Sequence, residues 1–287
     1  MNVLSVDQNE SICRLVVAAG QQARRANADS FQIYEKGFHD YVTDVDRSLD
    51  RQLADGLSQL FPEDGVITEE NAGTRRQFKQ SWQRLWLIDP IDGTEEFING
   101  GDGYAVMVGL LDRYQPAAGW VYAPARETLY WGGPGWGLFC ARRQERPQQL
   151  RSRCPQPPTD YACPILLGHR DQRRFGDAIA SYLPMMQCYS LGSFGLKVLE
   201  VVEGKAGVYL YLNGRVKLWD TAGPVALARA AGLMCCDLEG RPFEFSPAMV
   251  ESETLVHQQA ILVGWPSYIE PLLPKLRQAV TEASKQA

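Results

Sequence analysis

Two aspartates three residues apart, Asp89 and Asp92, close the apolar run "LWLIDPIDGTEEF" (Leu85–Phe97). Two further acids, Glu69 and Glu70, end the short stretch "DGVITEE", and Asp220 follows "VKLW" before another element. Each stands where an apolar run gives way to a turn, the usual mounting point for functional side chains. Carboxylates gathered at one point repel one another unless something positive sits between them. The three histidines, His39, His169 and His257, are far apart in sequence, and no cysteine accompanies the acids. An oxygen-only donor set selects hard cations such as Mg2+, Mn2+ or Ca2+ over zinc. Gly93 and Thr94 follow Asp92 directly, and a short helix starting there aims backbone N–H groups at an anion. A carboxylate-bound cation beside a phosphate-sized anion site means phosphoryl chemistry. Taken singly, the acids read more plainly: Asp220 before "TAGP" as a helix cap, Asp92 as a turn residue. The Asp89–Asp92 pair at one strand end is less easily dismissed.

The elements that must position these acids follow from periodicity. Residues 8–27 read as a helix with Ile12, Leu15, Val16, Ala19 and Ala23 on one face. "DVDRSLDRQLADGLSQLFP" repeats Val45, Leu49, Leu53, Leu57 and Leu60 at helical spacing, with Pro62 as its stop. "YAVMVGLLD", "AAGWVYAP", "ETLYWGG" and "GWGLFC" read as strands joined by turn residues, hence an antiparallel meander. The aromatics Tyr130, Trp131 and Trp136 there read as sheet packing, with a shelf for a flat ligand ring or a partner patch as the alternatives. A polar stretch from Ala141 to Asp160 suggests a boundary between an N-terminal subdomain, 1–145, and a C-terminal one, 146–287. The second half alternates strand and helix: "PILLGH", a helix at Asp171–Tyr182, a strand near Cys188–Leu191, "SFGLKVLEVVEG", "AGVYLYL", "TAGPVALARAAG", and "AILVGW" before a closing helix. The whole is an α/β (α+β) pattern in one compact unit.

The bulk numbers exclude several classes. With 287 residues, 45% apolar and 22% charged, the chain has ordinary globular composition. Its 29 basic and 34 acidic residues are interspersed and give a net charge of −5, which argues against nucleic-acid binding through bulk charge. Seven scattered cysteines with no C-x-x-C pair exclude a zinc ribbon and fit a reducing compartment. The first residues lack the basic head and apolar core of a signal peptide, and no apolar run approaches the roughly 20 residues needed to cross a bilayer. The expectation is a cytoplasmic protein with no membrane partner.

Four stretches, "DYVTDVD", "ITEEN", "WLIDPIDGTEEF" and "LWDTAGPVALARAAG", resemble in order and spacing the signature elements of the inositol monophosphatase superfamily. The resemblance implies a layered αβαβα sandwich, as in the inositol monophosphatase/fructose-1,6-bisphosphatase type, and two or three Mg2+ ions, with Mn2+ as a possible substitute. It implies that Glu69, Asp89 and the Ile91 carbonyl hold one metal, and that Asp89, Asp92 and Asp220 hold a second. Gly93 and Thr94 N–H groups would cradle the phosphate. Asp46 and the Thr94 hydroxyl would orient a metal-bound water, with Glu70 assisting through a water or merely flanking the site.

The segment before Trp219 bears on the substrate. Inositol monophosphatases carry a glutamate there; "AGVYLYLNGRVKLWD" has no acid before Asp220 and offers Arg215 and Lys217 instead. "GSFGLKVLEVVEG" and "LLGHRD" resemble the 3'(2'),5'-bisphosphate nucleotidase branch, with Ser193, Lys197 and His169 in place. A second phosphate needs an extra cation, for which Lys197, Arg215 and His169 are the candidates. Tyr211 stands where that branch carries an arginine. The expected activity is removal of the 3'-phosphate of adenosine 3',5'-bisphosphate to give AMP. The alternatives are a broad inositol or sugar monophosphatase and, remotely, a binding protein without catalysis. The partner is a small phosphorylated molecule, and the protein acts as a monomer or a homodimer.

Overall fold

The computed structural model describes residues 4–26, 31–37, 40–80, 82–143, 145–159 and 162–286; His39 and the end of the helix expected over 8–27 lie outside them. Helix α1 (Val6–Arg25) starts two residues earlier than its apolar periodicity implies, because Ser5 and Gln8 form a reciprocal capping box. Ile12, Val16, Ala19 and Ala23 are its buried stripe, and Leu15 is half-buried. Strands β1 (Ile33–Gly37) and β2 (Asp40–Thr43) form a hairpin that leads into helix α2 (Asp44–Leu60). Leu49, Leu53 and Leu57 are its core face; Leu60, expected on that face, is exposed at the helix end, and Phe61 enters the core instead.

Seven strands make the first sheet, in chain order from edge to edge: β3 (Gly65–Thr68), β4 (Arg84–Asp92), β5 (Ala105–Asp112), β6 (Gln115–Ala123), β7 (Thr128–Gly133), β8 (Gly137–Arg142) and β9 (Gln148–Gln149). From β4 onward the pairs are antiparallel, as the meander predicts, while β3 lies parallel to β4. The short helix α3 (Thr94–Ile98) lies between β4 and β5. Gln148 and Gln149 still pair with β8, so the first sheet reaches just past residue 145.

Five strands make the second sheet: β10 (Cys163–Leu167), β11 (Met186–Tyr189), β12 (Val208–Tyr211), β13 (Met234–Cys236) and β14 (Ile261–Gly264), in the order β11-β10-β12-β14-β13. The three on one side are parallel, and β14 runs antiparallel to β12 and β13. Helices α4 (His169–Tyr182), α5 (Phe194–Val202), α6 (Leu218–Ala230) and α7 (Pro266–Gln286) complete the fold.

The layers follow from period-2 alternation along β4. Trp86 and Ile88 face α1 and α2, packing with Ile12, Val16, Leu49 and Leu53. Leu85 and Leu87 face the other way, onto Leu196 of α5 and Val225 of α6, which also touch the inner face of the second sheet through Tyr209 and Val263. The outer face of that sheet, with Ile165, Leu167 and Leu262, buries Phe175 and Ile179 of α4 and Leu276 of α7. The result is helix, sheet, helix, sheet, helix: the expected αβαβα sandwich. Among the described residues no helix is long and apolar enough to cross a membrane.

The middle layer packs backbone against backbone. A Cβ on Gly109 would stand 2.4 Å from the Gly223 nitrogen, one on Gly119 2.2 Å from the Gly223 oxygen, and one on Gly223 2.7 Å from the Val108 oxygen. No side chain fits between α6 and β5–β6 at this point, so the first turn of α6 is held at a fixed height above the sheet.

Candidate active site

In a regular strand residues three apart point to opposite faces, so Asp89 and Asp92 converge only because β4 is irregular. Asp89 pairs with Met107 and Asp92 with Ala105, with a register shift between them. Pro90, which has no N–H to give a ladder, sits in that irregularity. Gly93 then turns the chain at φ +95°, where a side chain would be strained and a Cβ would stand 3.0 Å from the Gly103 oxygen. Asp220 was expected before its helix; it lies in the first turn of α6, where its Oδ2 accepts the Lys217 N–H at 2.6 Å. Carboxylate oxygens of Asp89, Asp92 and Asp220 lie within 4.8 Å of one another. Glu69, just past β3, donates its N–H to the Ile88 oxygen at 3.1 Å. It is outside that tight group, but its charge acts on both Asp89 and Asp220.

Burial and mutual repulsion outweigh the nearby charges of Lys197 and Lys217 in this cluster. Burial, then the charges of Glu69, Asp92 and Asp220, hold Asp89 well above the usual carboxylate range. Asp220 is only partly buried by surface, yet desolvation of its carboxyl, followed by Glu69 and Asp92, pushes it up to about 7. Burial also raises Asp92, against hydrogen bonds from Ser193 and Gly195 and the charge of Lys197 that lower it. Asp89 Oδ1 is buried with no hydrogen-bond partner among the described residues. A buried carboxylate oxygen without a donor, among three like charges, is what a hard cation would satisfy. The residues present therefore fit Mg2+.

Beside the cluster Thr94 and Asp46 meet. Thr94 Oγ1 donates to the Ile91 oxygen at 3.1 Å and reaches Asp46 Oδ1 at 3.4 Å. Asp46, in the first turn of α2, is 1% exposed, and its Oδ2 accepts from both the N–H (2.8 Å) and the hydroxyl of Thr43. Sequence reasoning missed Asp50, one turn further along the same face. Its carboxylate accepts from Thr68 Oγ1 at 2.9 Å and from the Glu70 N–H at 3.2 Å. Asp50 thus ties α2 to the strand end carrying Glu69 and Glu70. The i, i+4 spacing from Asp46 was the available signal.

A cleft of about 590 Å³ opens beside α3. Gly93 and Thr94 line it on one side, His169 and Lys197 on others. Ser193, expected to face substrate, is fully buried, and its hydroxyl donates to Asp92 Oδ2, which also accepts the Gly195 N–H at 2.9 Å. Lys197 is 4% exposed; its ammonium donates to the Leu191 and Gly192 oxygens at 2.7 and 2.9 Å, and burial lowers it to about 8. Arg215 is exposed in the turn after β12 and does not line the cleft. Two arginines that the sequence reading passed over, Arg170 and Arg173, do. Tyr130, Trp131 and Trp136 are away from it: Trp131 stacks on Phe139, and Trp136 packs against Trp120.

This geometry is matched by known proteins. The family model described as the inositol monophosphatase family matches residues 7–281. The 3'(2'),5'-bisphosphate nucleotidase CysQ of Escherichia coli O157:H7 is 32% identical over 245 residues, covering 83% of this chain and 94% of its own. An IMPase of Thermotoga maritima superimposes with a TM-score of 0.76 at 20% identity, covering 97% of this chain and 100% of that one. An IMPase/NADP phosphatase complexed with Mg2+ and phosphate gives a TM-score of 0.75 at 20% identity, covering 93% and 94%. The chain belongs to the inositol monophosphatase family and is a phosphatase. Within that family it stands near the CysQ nucleotidases.

Proposed function

We propose that the protein is a Mg2+-dependent phosphomonoester hydrolase that removes the 3'-phosphate of adenosine 3',5'-bisphosphate to give AMP and phosphate. The observation that carries the metal reading is the Asp89–Asp92–Asp220 cluster with its unpartnered buried oxygen. Glu69, Asp89 and the Ile91 carbonyl would hold one ion, and Asp89, Asp92 and Asp220 another; two or three ions are expected. When bound, such ions neutralise the phosphoryl oxygens and lower the pKa of water in their shell. Gly93 and Thr94 N–H groups receive the phosphate. The Thr94 hydroxyl would accept a hydrogen bond from the attacking water, fixing its orientation, and donate its own proton to Asp46 Oδ1, 3.4 Å away, so that Asp46 ends with the proton the water gives up. Glu70 assists from the rim through a second water. Ser193 acts through Asp92, holding its carboxylate in one orientation. Because phosphoryl transfer passes through a loose transition state, positioning and charge neutralisation carry most of the rate.

The nucleotidase reading is supported by the similarity to CysQ, by the lack of an acid in the stretch 206–219 before Asp220, and by the cations lining the cleft. His169 and Lys197 are the residues proposed to face the part of the substrate away from the scissile phosphate. The test is phosphate release from adenosine 3',5'-bisphosphate, inositol 1-phosphate and fructose 1,6-bisphosphate at equal concentration with Mg2+. The bisphosphate nucleotide is expected to have the largest kcat/KM. A larger value for inositol 1-phosphate would replace the nucleotidase reading with the inositol monophosphatase one.

A further inference from the structure

The wall of the cleft formed by α4 carries charge that the carboxylate cluster does not use. His169, Arg170 and Arg173 of its first turns all line the cleft, together with Gly168, the N-cap residue. Arg170 and Arg173 are three residues apart and so share one helix face. Gly168 has no side chain to cap the helix, so the first-turn N–H groups keep their capacity for an anion. The one acid of that turn is directed elsewhere: Asp171 is fully buried, and its Oδ2 accepts the Leu212 N–H at 2.9 Å and an Asn213 amide hydrogen at 3.3 Å.

The other cations near the cleft are less able to serve. Lys197 spends two of its three donors on backbone carbonyls, and Arg215 is off the cleft. Tyr211, which stands where the nucleotidase pattern has an arginine, lines the same cleft and feels the charge of Arg170. The arginine missing from β12 is thus matched by arginines on the neighbouring helix. The cavity, about 590 Å³, is of the size that encloses a whole nucleotide-sized ligand rather than a lone phosphate. Glu95 and Glu96 on the α3 side also line it, so its basic wall is the α4 side.

We propose that Arg170 and Arg173 bind the second, unhydrolysed phosphate of a nucleoside 3',5'-bisphosphate and so set the preference for bisphosphate over monophosphate. The proposal rests on the nucleotidase reading above. Guanidinium forks match phosphate oxygens two at a time, and a phosphate at the mouth of α4 also meets its N–H groups. Both arginines are specificity residues: they touch the part of the substrate that does not react.

The experiment compares kcat/KM for adenosine 3',5'-bisphosphate and adenosine 3'-monophosphate in the wild type, Arg170→Gln, Arg173→Gln and the double variant. The wild type is expected to prefer the bisphosphate. The double variant should lose roughly 10- to 100-fold on the bisphosphate, as for loss of charged hydrogen bonds, with the 3'-monophosphate within about twofold. Retained activity on the monophosphate is also the check that the variants fold. If the wild type prefers the bisphosphate and the double variant keeps that preference, the arginine assignment falls and the nucleotidase reading stands. An equal loss on both substrates likewise overturns the assignment. A wild type indifferent to the second phosphate overturns the nucleotidase reading, and this proposal with it.

Discussion

The carboxylate cluster next to Gly93 and the α4 wall of the cleft are built on opposite principles. On the carboxylate side Asp46 and Asp89 are each 1% exposed, and the acids sit on a strand irregularity and on first helical turns. Asp46, Asp92 and Asp220 are pinned by backbone N–H groups. On the α4 side His169 and Arg173 are exposed and Arg170 half-buried. Burying like charges costs stability, and the raised pKa values of Asp89 and Asp220 express that cost. Exposed arginines carry almost none. The reacting groups are therefore held at a cost in stability, whereas those proposed for recognition carry little of it. Rate and stability should respond in opposite directions on the first side and independently on the second.

The largest test of that contrast is Asp89→Asn. Removing this charge should lower Mg2+-dependent phosphate release by about 1,000-fold or more, as expected when several kcal/mol of charge stabilisation are lost. The same variant, melted in EDTA, should be at least as stable as the wild type, because a repulsion has gone. A lower Tm in EDTA would show that Asp89 is not strained. Next comes Ser193→Ala, which removes a donor to Asp92 without touching substrate. An indirect partner of this kind is worth roughly 10- to 100-fold in metal affinity or activity. The Mg2+ concentration for half-maximal rate should rise, with KM for substrate nearly unchanged; a change confined to KM would return Ser193 to the substrate side.

The effect of pH is smaller and concerns stability. In the folded metal-free protein Asp220 titrates at about 7 against an ordinary 3.8. Its contribution to stability is fully present below pH 3.8 and is lost as pH rises toward about 7, since the unfolded chain ionises first. The Tm difference between wild type and Asp220→Asn in EDTA should therefore move against the wild type across that window and level off above it. Saturating Mg2+ should abolish the trend, because the ion prefers the ionised form. A difference flat with pH in EDTA would contradict the pKa shift. The smallest effect belongs to Arg215→Ala, which should leave kcat/KM for every substrate within about twofold, as is usual for an exposed residue away from a site. A larger loss would bring Arg215 itself into the site.

How much of this could be read from the chain depends on distance along it. Glu69, Asp89, Asp92 and Asp220 declare themselves locally, each by its type and its place at the end of an apolar run. The layered architecture follows from the alternation of strand and helix periods. The rest is set by long-range packing. Asp50 looks like one more solvated helix acid until β3 brings Thr68 and Glu70 against it. Ser193 reads as a substrate hydroxyl until Asp92, 101 residues away, takes its proton bond. Arg170 and Arg173 lie in "HRDQRR", indistinguishable by sequence from an exposed helix face, whereas Arg215 offered an equal charge at a position that does not line the cleft. The parallel pairing of β3 with β4 has no local signal either, since pairing direction is a property of the connection between strands.

The contact of Gly223 with Gly109 and Gly119 makes the spacing between α6 and the sheet a caliper. Asp220 rides on one jaw and the β4 aspartates on the other, and no rotamer lies between them to absorb a change. A methyl at Gly223 would stand 2.7 Å from the Val108 oxygen, so the helix that carries Asp220 would have to shift to admit it. Three residues with no side chain thereby set how near Asp220 comes to the sheet that carries Asp89 and Asp92, at positions where a search for ligands would never look.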